Sequence, residues 1–149
     1  MKKSRAGIHI RKGNSSDQQS LKELLAFHQM ETDVDPSEFY VAETNGKLLG
    51  AVRLEWPAAD HAYLRPIAVV SREKGRGIGR ALLEKIFLEC SRVSVVARGE
   101  AVPFYLRLGF IPIDWETVPD SYRRECELCE ERKQCRAVPM SLGKNKNKE

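Results

Sequence analysis

Two strand-like runs, EFYVAET and KLLGAVRLEW, lie on either side of the dipeptide Asn45-Gly46. Asn-Gly between two such runs is the strongest short signal for a β-hairpin, because both residues tolerate the positive φ angles that a two-residue turn requires. A hairpin joins antiparallel strands, whereas a doubly wound sheet is built from units whose strands run parallel. The dipeptide therefore predicts a sheet that is antiparallel at least in this part of the chain.

Strand-like and helix-like patterns alternate along the rest of the chain. GIHIRKG, HAYLRPIAVV, RVSVVAR, GFIPI and RAVPMSL have the character of strands. Apolar residues at helical spacing follow the candidate caps Ser15, Ser16 and Asp17, and they recur after the glycine-rich segment KGRGIG. A short helix is expected over residues 100–108, with Gly109 as its C-cap. These patterns predict a single α+β domain in which helices flank a mixed, mostly antiparallel twisted sheet.

Size and composition limit the classes of protein to which the chain can belong. At 149 residues it is long enough for one domain with a proper core. Hydrophobic residues make up 42% and charged residues 31%, which is ordinary for a soluble globular protein. Much of the net charge of +4 lies in the end segments MKKSR and KNKNKE, so neither a nucleic acid nor a membrane is expected as a partner. Without a long apolar stretch or a signal peptide, the chain is expected in the cytoplasm.

The segment REKGRGIGRALLEKI, residues 72–86, places glycines and basic residues directly before a helix-like run. A helix N-terminus has unpaired N–H groups and a partial positive charge, and glycines let a phosphate approach those groups closely. The segment is not the nucleotide-binding P-loop, because Arg80 and Ala81 follow its last glycine. It is also a poor dinucleotide fingerprint, because it follows an antiparallel hairpin. A diphosphate site is predicted, and a turn with solvated basic side chains is the alternative.

This loop and the later segment AVPFYLRLGF together resemble, in order and spacing, the GCN5-related N-acetyltransferase (GNAT) superfamily. The residues that fall on the two family motifs are Lys74, Gly77 and Gly79, and then Ala101, Phe104, Tyr105, Gly109 and Phe110. The resemblance covers nearly the whole chain, because the order of strands, helices and hairpin also fits. Two residues depart from the family pattern: Lys74 replaces the usual Gln or Arg but keeps the positive charge, and Arg98 stands where the family often has Asn.

The resemblance implies acetyl-coenzyme A as co-substrate, in a cleft where the strands LRPIAVV and RVSVVA splay apart. The pantetheine is expected to hydrogen-bond to the first strand, and the N–H groups of the glycine loop are expected to hold the pyrophosphate. A strand N–H, of Ile67 or Ala68, is expected to stabilise the oxyanion of acyl transfer, an effect worth about 3 kcal/mol per donor in other enzymes. The predicted cofactor-binding residues are Ile67, Ala68, Val69, Lys74, Gly75, Arg76, Gly77, Ile78, Gly79, Arg80 and Arg98.

The reaction that the resemblance implies is N-acetyl transfer by direct attack of a primary amine on the acetyl thioester. Tyr105 takes the place of the family's usual general acid. A phenol with a pKa of about 10 is protonated at neutral pH and can pass its proton to the leaving thiolate. A packed aromatic on an amphipathic helix is the alternative. Glu55, His61 and Glu100 are the candidate bases, each with a solvated surface residue as its alternative, and a water chain to the solvent would also serve.

Arg65 is the candidate for binding the acceptor. Strand alternation places it on one face with His61, Tyr63 and Ile67. From this face its guanidinium could hold a substrate carboxylate in a two-pronged hydrogen bond, whereas the alternative is a surface arginine paired with a nearby acid. We therefore predict a small-molecule primary amine as the acceptor, an amino acid such as glutamate being the example. The other functions that stay open are a non-catalytic acyl-coenzyme A-binding or sensor domain and a protein or peptide N-acetyltransferase.

Cys126, Cys129 and Cys135 form a C-x-x-C-x-x-x-x-x-C pattern close to the C-terminus. Together with the late Met140, this trio resembles the tail of the short bacterial N-acetylglutamate synthases, which favours an amino acid as acceptor. A zinc ion needs a fourth ligand, which would have to be Cys90 or a distant histidine. Reduced structural thiols or redox-active thiols are therefore expected in preference to a metal site.

The order of these elements sets the expected domain bounds. We expect one N-acetyltransferase domain over residues 1–143, with a cysteine-containing insertion at about 115–136. A disordered basic tail is expected over residues 144–149. A homodimer stays open, because nothing in the sequence decides between a monomer and a dimer.

Overall fold

The computed structural model describes residues 7–70, 77–129 and 135–144. The strands and helices follow the predicted order, with one further helix over Asp120–Leu128. The elements are β1 (His9–Lys12), α1 (Gln18–Phe27), β2 (Phe39–Thr44), β3 (Lys47–Ala58), β4 (His61–Val69), α2 (Ile78–Ile86), β5 (Arg92–Ala97), α3 (Val102–Leu108), β6 (Ile111–Pro112), α4 (Asp120–Leu128) and β7 (Val138–Gly143). Short 3-10 turns lie at Ser15–Asp17, Pro36–Glu38, Gly99–Ala101 and Trp115–Thr117.

The strands of the described residues form one sheet in the order β1-β2-β3-β4-β5-β7-β6. β1 pairs antiparallel with β2, β2 with β3, β5 with β7, and β6 with β7. β4 pairs with β5 in parallel, over residue pairs from His61–Arg92 to Tyr63–Ser94. The sheet is therefore mixed and mostly antiparallel, and the predicted α+β fold class is confirmed.

The turn between β2 and β3 has the predicted geometry. Asn45 has a φ of 49° and Gly46 a φ of 76°, so both residues lie in the left-handed region that a primed hairpin turn requires. The N–H of Gly46 donates to Oε1 of Glu43 at 3.1 Å, which holds the turn against the end of β2. The hairpin that the dipeptide predicts is confirmed.

The chain divides into two compact units, the first of which contains Met1–Glu55 and Leu64–Glu89. Its core forms where the leucines of α1, which recur at helical spacing, pack on apolar residues of the strands. The buried members of this cluster are Leu21, Leu24, Leu25, Phe39, Val41, Ala51 and Ala68. Full burial of a leucine or phenylalanine side chain contributes about 1.5–3 kcal/mol. This cluster therefore packs α1 against the strands, Ala68 of β4 included.

The 3-10 turn Ser15–Asp17, which leads into α1, has an N-cap of its own. The side chain of Asn14 accepts a hydrogen bond from the N–H of Ser16 at 2.9 Å, and the carboxylate of Asp17 accepts one from the N–H of Asn14 at 2.8 Å. Asn14 is therefore the N-cap of this turn, and Asp17, one of the predicted cap residues, completes the capping box and takes the N-cap position of α1. Arg11 also donates two hydrogen bonds to Asp17, and this guanidinium contact holds the pKa of the Asp17 carboxyl below its usual range.

The second unit contains Trp56–Tyr63 and Cys90–Glu149. Its hydrophobic cluster consists of Tyr63, Val118 and Tyr122, with the Tyr63 and Tyr122 rings 5.0 Å apart in an edge-to-face arrangement. Tyr122 belongs to α4, a helix within the stretch that the sequence predicts as an insertion. The run GFIPI forms only the two-residue β6, and the N–H of Ile113 beyond it also donates to the carbonyl of Pro139 at 2.9 Å. Beyond β7, the N–H of Lys144 donates to the carbonyl of Ser91 at 2.8 Å.

Candidate active site

The N-terminus of α2 has the form that a phosphate-binding site needs. Its N-cap is Gly77, with a φ of 78°, a left-handed conformation that favours glycine. Ile78 and Gly79 are buried at the start of the helix and Arg80 is exposed. The first backbone N–H groups of a helix have no partner within it, so they can donate to an anion. Lys74, Gly75 and Arg76, the rest of the predicted loop, lie outside the described residues.

The predicted pantetheine strand is held firmly at its end. Ile67 and Ala68 are 5% and 3% exposed, so their backbone is fixed by the core. The N–H of Val70 donates to the carbonyl of Leu49 at 2.8 Å. Nε2 of His28 lies 2.9 Å from the carbonyl of Val69, and since a carbonyl can only accept, this nitrogen carries the hydrogen. The strand therefore presents its backbone groups in a defined position.

Gly50, which the sequence analysis did not single out, sets the approach of β3 to the start of α2. A Cβ atom added at Gly50 would lie 2.9 Å from Cγ2 of Ile78 and 3.1 Å from the carbonyl oxygen of Ala68. Both of these residues belong to the predicted cofactor site. An isolated glycine inside a strand pattern often marks such a close approach, so the signal was present in the sequence.

The structure brings Arg65 and Glu55 together. Nε of Arg65 lies 3.3 Å from Oε1 of Glu55, and the two side chains are 28% and 43% exposed. The carbonyl of Arg65 also accepts a hydrogen bond from Nε of Arg53 at 2.8 Å. The pairing agrees with the alternative interpretation of Arg65, an arginine beside an acid. It also shows that this guanidinium already binds a carboxylate, the group that an amino-acid substrate would present.

Tyr105 lies on α3 and is 7% exposed. Its ring makes edge-to-face contacts with Phe104 at 5.1 Å and Phe110 at 5.4 Å, measured between ring centroids. Burial raises the pKa of the phenol above its ordinary value, because the charged form loses its hydration. The hydroxyl is therefore protonated throughout the neutral range, which a general acid requires. Arg98, at the end of β5, is exposed and precedes the 3-10 turn that leads into α3.

His61 is the candidate base with the most structured surroundings. Its ring stacks on Tyr63 at 5.3 Å, which agrees with the predicted shared face. Its Nε2 lies 2.7 Å from Oγ of Ser94, whose hydroxyl donates to Oγ of Ser141 at 3.1 Å. With Ser94 as donor to Ser141, Ser94 accepts from Nε2 and leaves Nδ1 as the proton acceptor.

The protonation state of His61 follows from the charges around it. Burial lowers the pKa of the imidazole, the positive charge of Arg92 lowers it further, and Asp60 opposes the shift. The ring is therefore neutral at neutral pH, the form that can take a proton. Glu100, the third candidate base, is exposed on the turn before α3.

The three C-terminal cysteines line one cavity of about 370 Å³ at the end of α4. The other lining residues are Trp115, Arg123, Glu127, Arg136 and Ala137. Cys90 is buried elsewhere, and none of the four cysteines, all within the described residues, is in a disulfide. Among the residues that the structure describes, no group of three or more His, Cys, Asp or Glu side chains is arranged to hold a metal ion. In the same part of the chain, no helix is both long and apolar enough to cross a bilayer.

Comparison with known proteins identifies the family. Residues 35–112 match the acetyltransferase (GNAT) domain family, which is just over half of the chain, and the chain therefore belongs to this family. An uncharacterized N-acetyltransferase of Chlorobaculum tepidum is 29% identical over 108 residues, which are 69% of this chain and 68% of that protein. The predicted class, an acetyl-coenzyme A-dependent N-acetyltransferase, is confirmed at the level of the family.

Solved structures agree on the fold. N-acetylglutamate synthase from Neisseria gonorrhoeae, complexed with coenzyme A and N-acetyl-glutamate, superposes with a TM-score of 0.76 at 18% identity over 95% of this chain. The chain spans only 36% of the length of that enzyme. A Mycobacterium tuberculosis protein in complex with coenzyme A superposes with a TM-score of 0.67 at 21% identity, covering 91% of this chain and 98% of the other. Both of these proteins are complexed with coenzyme A, and what they share with this chain is the fold.

Proposed function

We propose that the protein transfers the acetyl group of acetyl-coenzyme A to the primary amine of a small molecule, and that an amino acid such as glutamate is the acceptor. The observation that carries catalysis is Tyr105, a buried and protonated phenol on α3. A domain that only binds an acyl-coenzyme A has no need of such an acid. The gonococcal N-acetylglutamate synthase with the same fold supports an amino acid as the acceptor class.

The chain's own groups have separable roles toward the co-substrate, which supplies an activated acetyl thioester. The N–H groups of Ile78, Gly79 and Arg80 at the start of α2 would donate to the pyrophosphate, and the left-handed Gly77 leaves their approach clear of a side chain. The strand backbone at Ile67 and Ala68 would bind the pantetheine and stabilise the negative charge that develops on the acetyl oxygen. Lys74, Arg76 and Arg98 are proposed from the family motifs to add positive charge.

Proton transfer at neutral pH needs an acid that is protonated and a base that is deprotonated. Tyr105 holds the proton that the departing thiol requires. Among the three candidate bases we favour His61, because its imidazole is neutral and its Nδ1 is the open acceptor. The carboxylate of Glu55 is instead engaged by Arg65. Glu55 therefore competes with a substrate carboxylate for the same guanidinium.

That competition provides a test with opposite expected signs. Arg65→Gln should raise the acceptor KM steeply with little change in acetyl-coenzyme A affinity, because only the acceptor loses a charge-assisted pair. Glu55→Gln should lower the acceptor KM, because Arg65 is then released to the substrate. A lower kcat in Glu55→Gln with an unchanged KM would instead make Glu55 the base. Arg65→Lys should behave like Arg65→Gln, because a point charge cannot reproduce the fork geometry.

The acceptor itself is decided by a screen that measures coenzyme A release with amino acids, polyamines and peptides. Glutamate compared with its α-amide is the critical pair. Activity on glutamate and not on the amide supports the proposal, whereas equal activity on both excludes the hypothesis that the acceptor is an amino acid. Activity on peptides alone would indicate a protein N-acetyltransferase. A melting-temperature shift with acetyl-coenzyme A but no release with any amine would indicate a sensor domain.

A further inference from the structure

The pair Cys126 and Cys129 lies where the end of α4 turns away from the helix. Cys126 belongs to the last turn of α4 and Cys129 is its C-cap. The N–H of Cys129 donates to the carbonyl of Cys126 at 3.2 Å, which closes a four-residue turn. Such a turn keeps its first and last Cα atoms within about 7 Å, and disulfides join Cα atoms about 4.4–6.8 Å apart. The Cα separation of the two cysteines therefore permits a disulfide between them.

Both cysteines lie at the cavity at the end of α4. Cys129 is exposed and Cys126 is half-buried, and both line the cavity of about 370 Å³. Arg123 and Arg136 also line it, although Arg123 pairs with Asp120, and Glu127 adds one negative charge. A cavity lined by two arginines and three cysteines suits a small aliphatic disulfide that carries carboxylates.

Cys135 lines the same cavity but is held in place by its backbone. A Cβ atom added at Gly99 would lie 2.8 Å from the carbonyl oxygen of Cys135 and 3.1 Å from that of Arg136. The segment therefore packs directly on the turn that precedes α3, and a shift toward Cys129 would break this contact. The geometry favours the pair at the end of α4 over any pair that includes Cys135.

We propose that Cys126 and Cys129 form a redox-active dithiol that is oxidised by a small aliphatic disulfide. The thiolate of Cys129 attacks one sulfur of the reagent, and the first reagent thiol leaves with a proton. The thiolate of Cys126 then attacks Sγ of Cys129, and the second reagent thiol leaves with the other proton. The pair loses two electrons and two protons and forms one disulfide, and the reagent is reduced to two thiols. This chemistry is independent of acetyl transfer.

Oxidised glutathione is the probe, and digestion with trypsin then places the cysteine pair and the other cysteines in different peptides. Cleavage after Arg124 and Arg132 puts Cys126 and Cys129 in one peptide, while Cys135 and Cys90 fall in two others. We expect the peptide 125–132 to become about 2 Da lighter, to resist alkylation, and to recover fully with excess reduced glutathione. Alkylation of Cys135 and Cys90 should be unchanged. Two alkylated thiols in 125–132, or a cross-link to the Cys135 peptide, would overturn the proposal.

Serine variants provide the matched controls. Cys135→Ser should form the same disulfide at the parental rate, because this thiol does not take part. Cys126→Ser should stop at a stable glutathione adduct on Cys129, whereas in the parent this adduct should stay below about a tenth of the protein, since the second step is intramolecular. In a Trp56→Phe background, the fluorescence of Trp115, which lines the cavity, should change on oxidation of the parent but not of Cys129→Ser. Loss of the disulfide in a folded Cys135→Ser variant would refute the pairing.

Discussion

Replacing Gly50 with alanine tests whether a glycine of β3 sets the geometry at the start of α2. The added Cβ would meet Cγ2 of Ile78 at 2.9 Å and the carbonyl oxygen of Ala68 at 3.1 Å. Real Cβ contacts with carbon are about 3.5–4.0 Å, so the new methyl is too close by more than half an ångström. The carbonyl is fixed in the strand and cannot turn aside as the end of a flexible side chain would.

The expected cost follows from two opposing effects. Overpacking of a filled core costs about 1–3 kcal/mol. Alanine has less conformational freedom than glycine in the unfolded chain, which stabilises the folded protein by about 0.4–1 kcal/mol. The net free energy of unfolding should therefore fall by about 1–2 kcal/mol, which for a chain of this size lowers Tm by about 2–8 °C. Because the strain falls on Ile78 and Ala68, acetyl-coenzyme A should also stabilise the variant less than the parent.

Thermal unfolding with and without acetyl-coenzyme A provides the assay, and Gly143→Ala in β7 is the matched control. A Cβ at Gly143 meets only the end of the Arg92 side chain, with Nη2 3.3 Å away, and this side chain can move. Gly143→Ala should therefore have a Tm close to the parent and the full shift with acetyl-coenzyme A. If Gly50→Ala behaves like Gly143→Ala, the backbone relaxes and the argument about close packing is refuted.

Three further changes address the site. Tyr105→Phe keeps the ring contacts with Phe104 and Phe110 and removes the acid, so kcat should fall about 10²–10⁴-fold. The Tm and the Tm shift with acetyl-coenzyme A should stay unchanged. Full retention of kcat would assign Tyr105 to packing. Gly77→Asn supplies a residue that tolerates the left-handed conformation but adds a side chain at the start of α2. The variant should fold, and the Tm shift with acetyl-coenzyme A should disappear. A normal Tm shift would mean that the loop is a simple turn. His61 has a folded-state pKa below its unfolded value, so its contribution to stability is present above about pH 6.5 and is lost as the pH falls through the folded value. Urea unfolding at pH 7.5 and pH 5 should therefore show a larger loss of stability in the parent than in His61→Gln, and equal losses would contradict the assigned pKa direction.

The elements of the fold follow from local chemistry in most of the chain. Asn45-Gly46 forms its turn because both residues accept positive φ, and Gly109 ends α3 with a φ of 103° for the same reason. α2 buries its apolar residues because they recur at the helical period. Two motifs in register were enough to indicate the family, since each depends on residue types at fixed spacing along the chain.

The tertiary structure decided which residues that are distant in sequence become partners. The sequence named Arg65 and Glu55 separately, and the pairing of β3 with β4 made one the partner of the other. The sequence named His61 as one of three candidate bases. Ser94 of β5 and Ser141 of β7 determined which nitrogen of its ring is available as the proton acceptor. Nothing near Gly50 in the chain indicates that Ile78 lies against it. Local propensity depends on a few neighbouring residues, whereas hydrogen-bond partners, burial and the resulting pKa shifts depend on groups that meet only when the sheet forms.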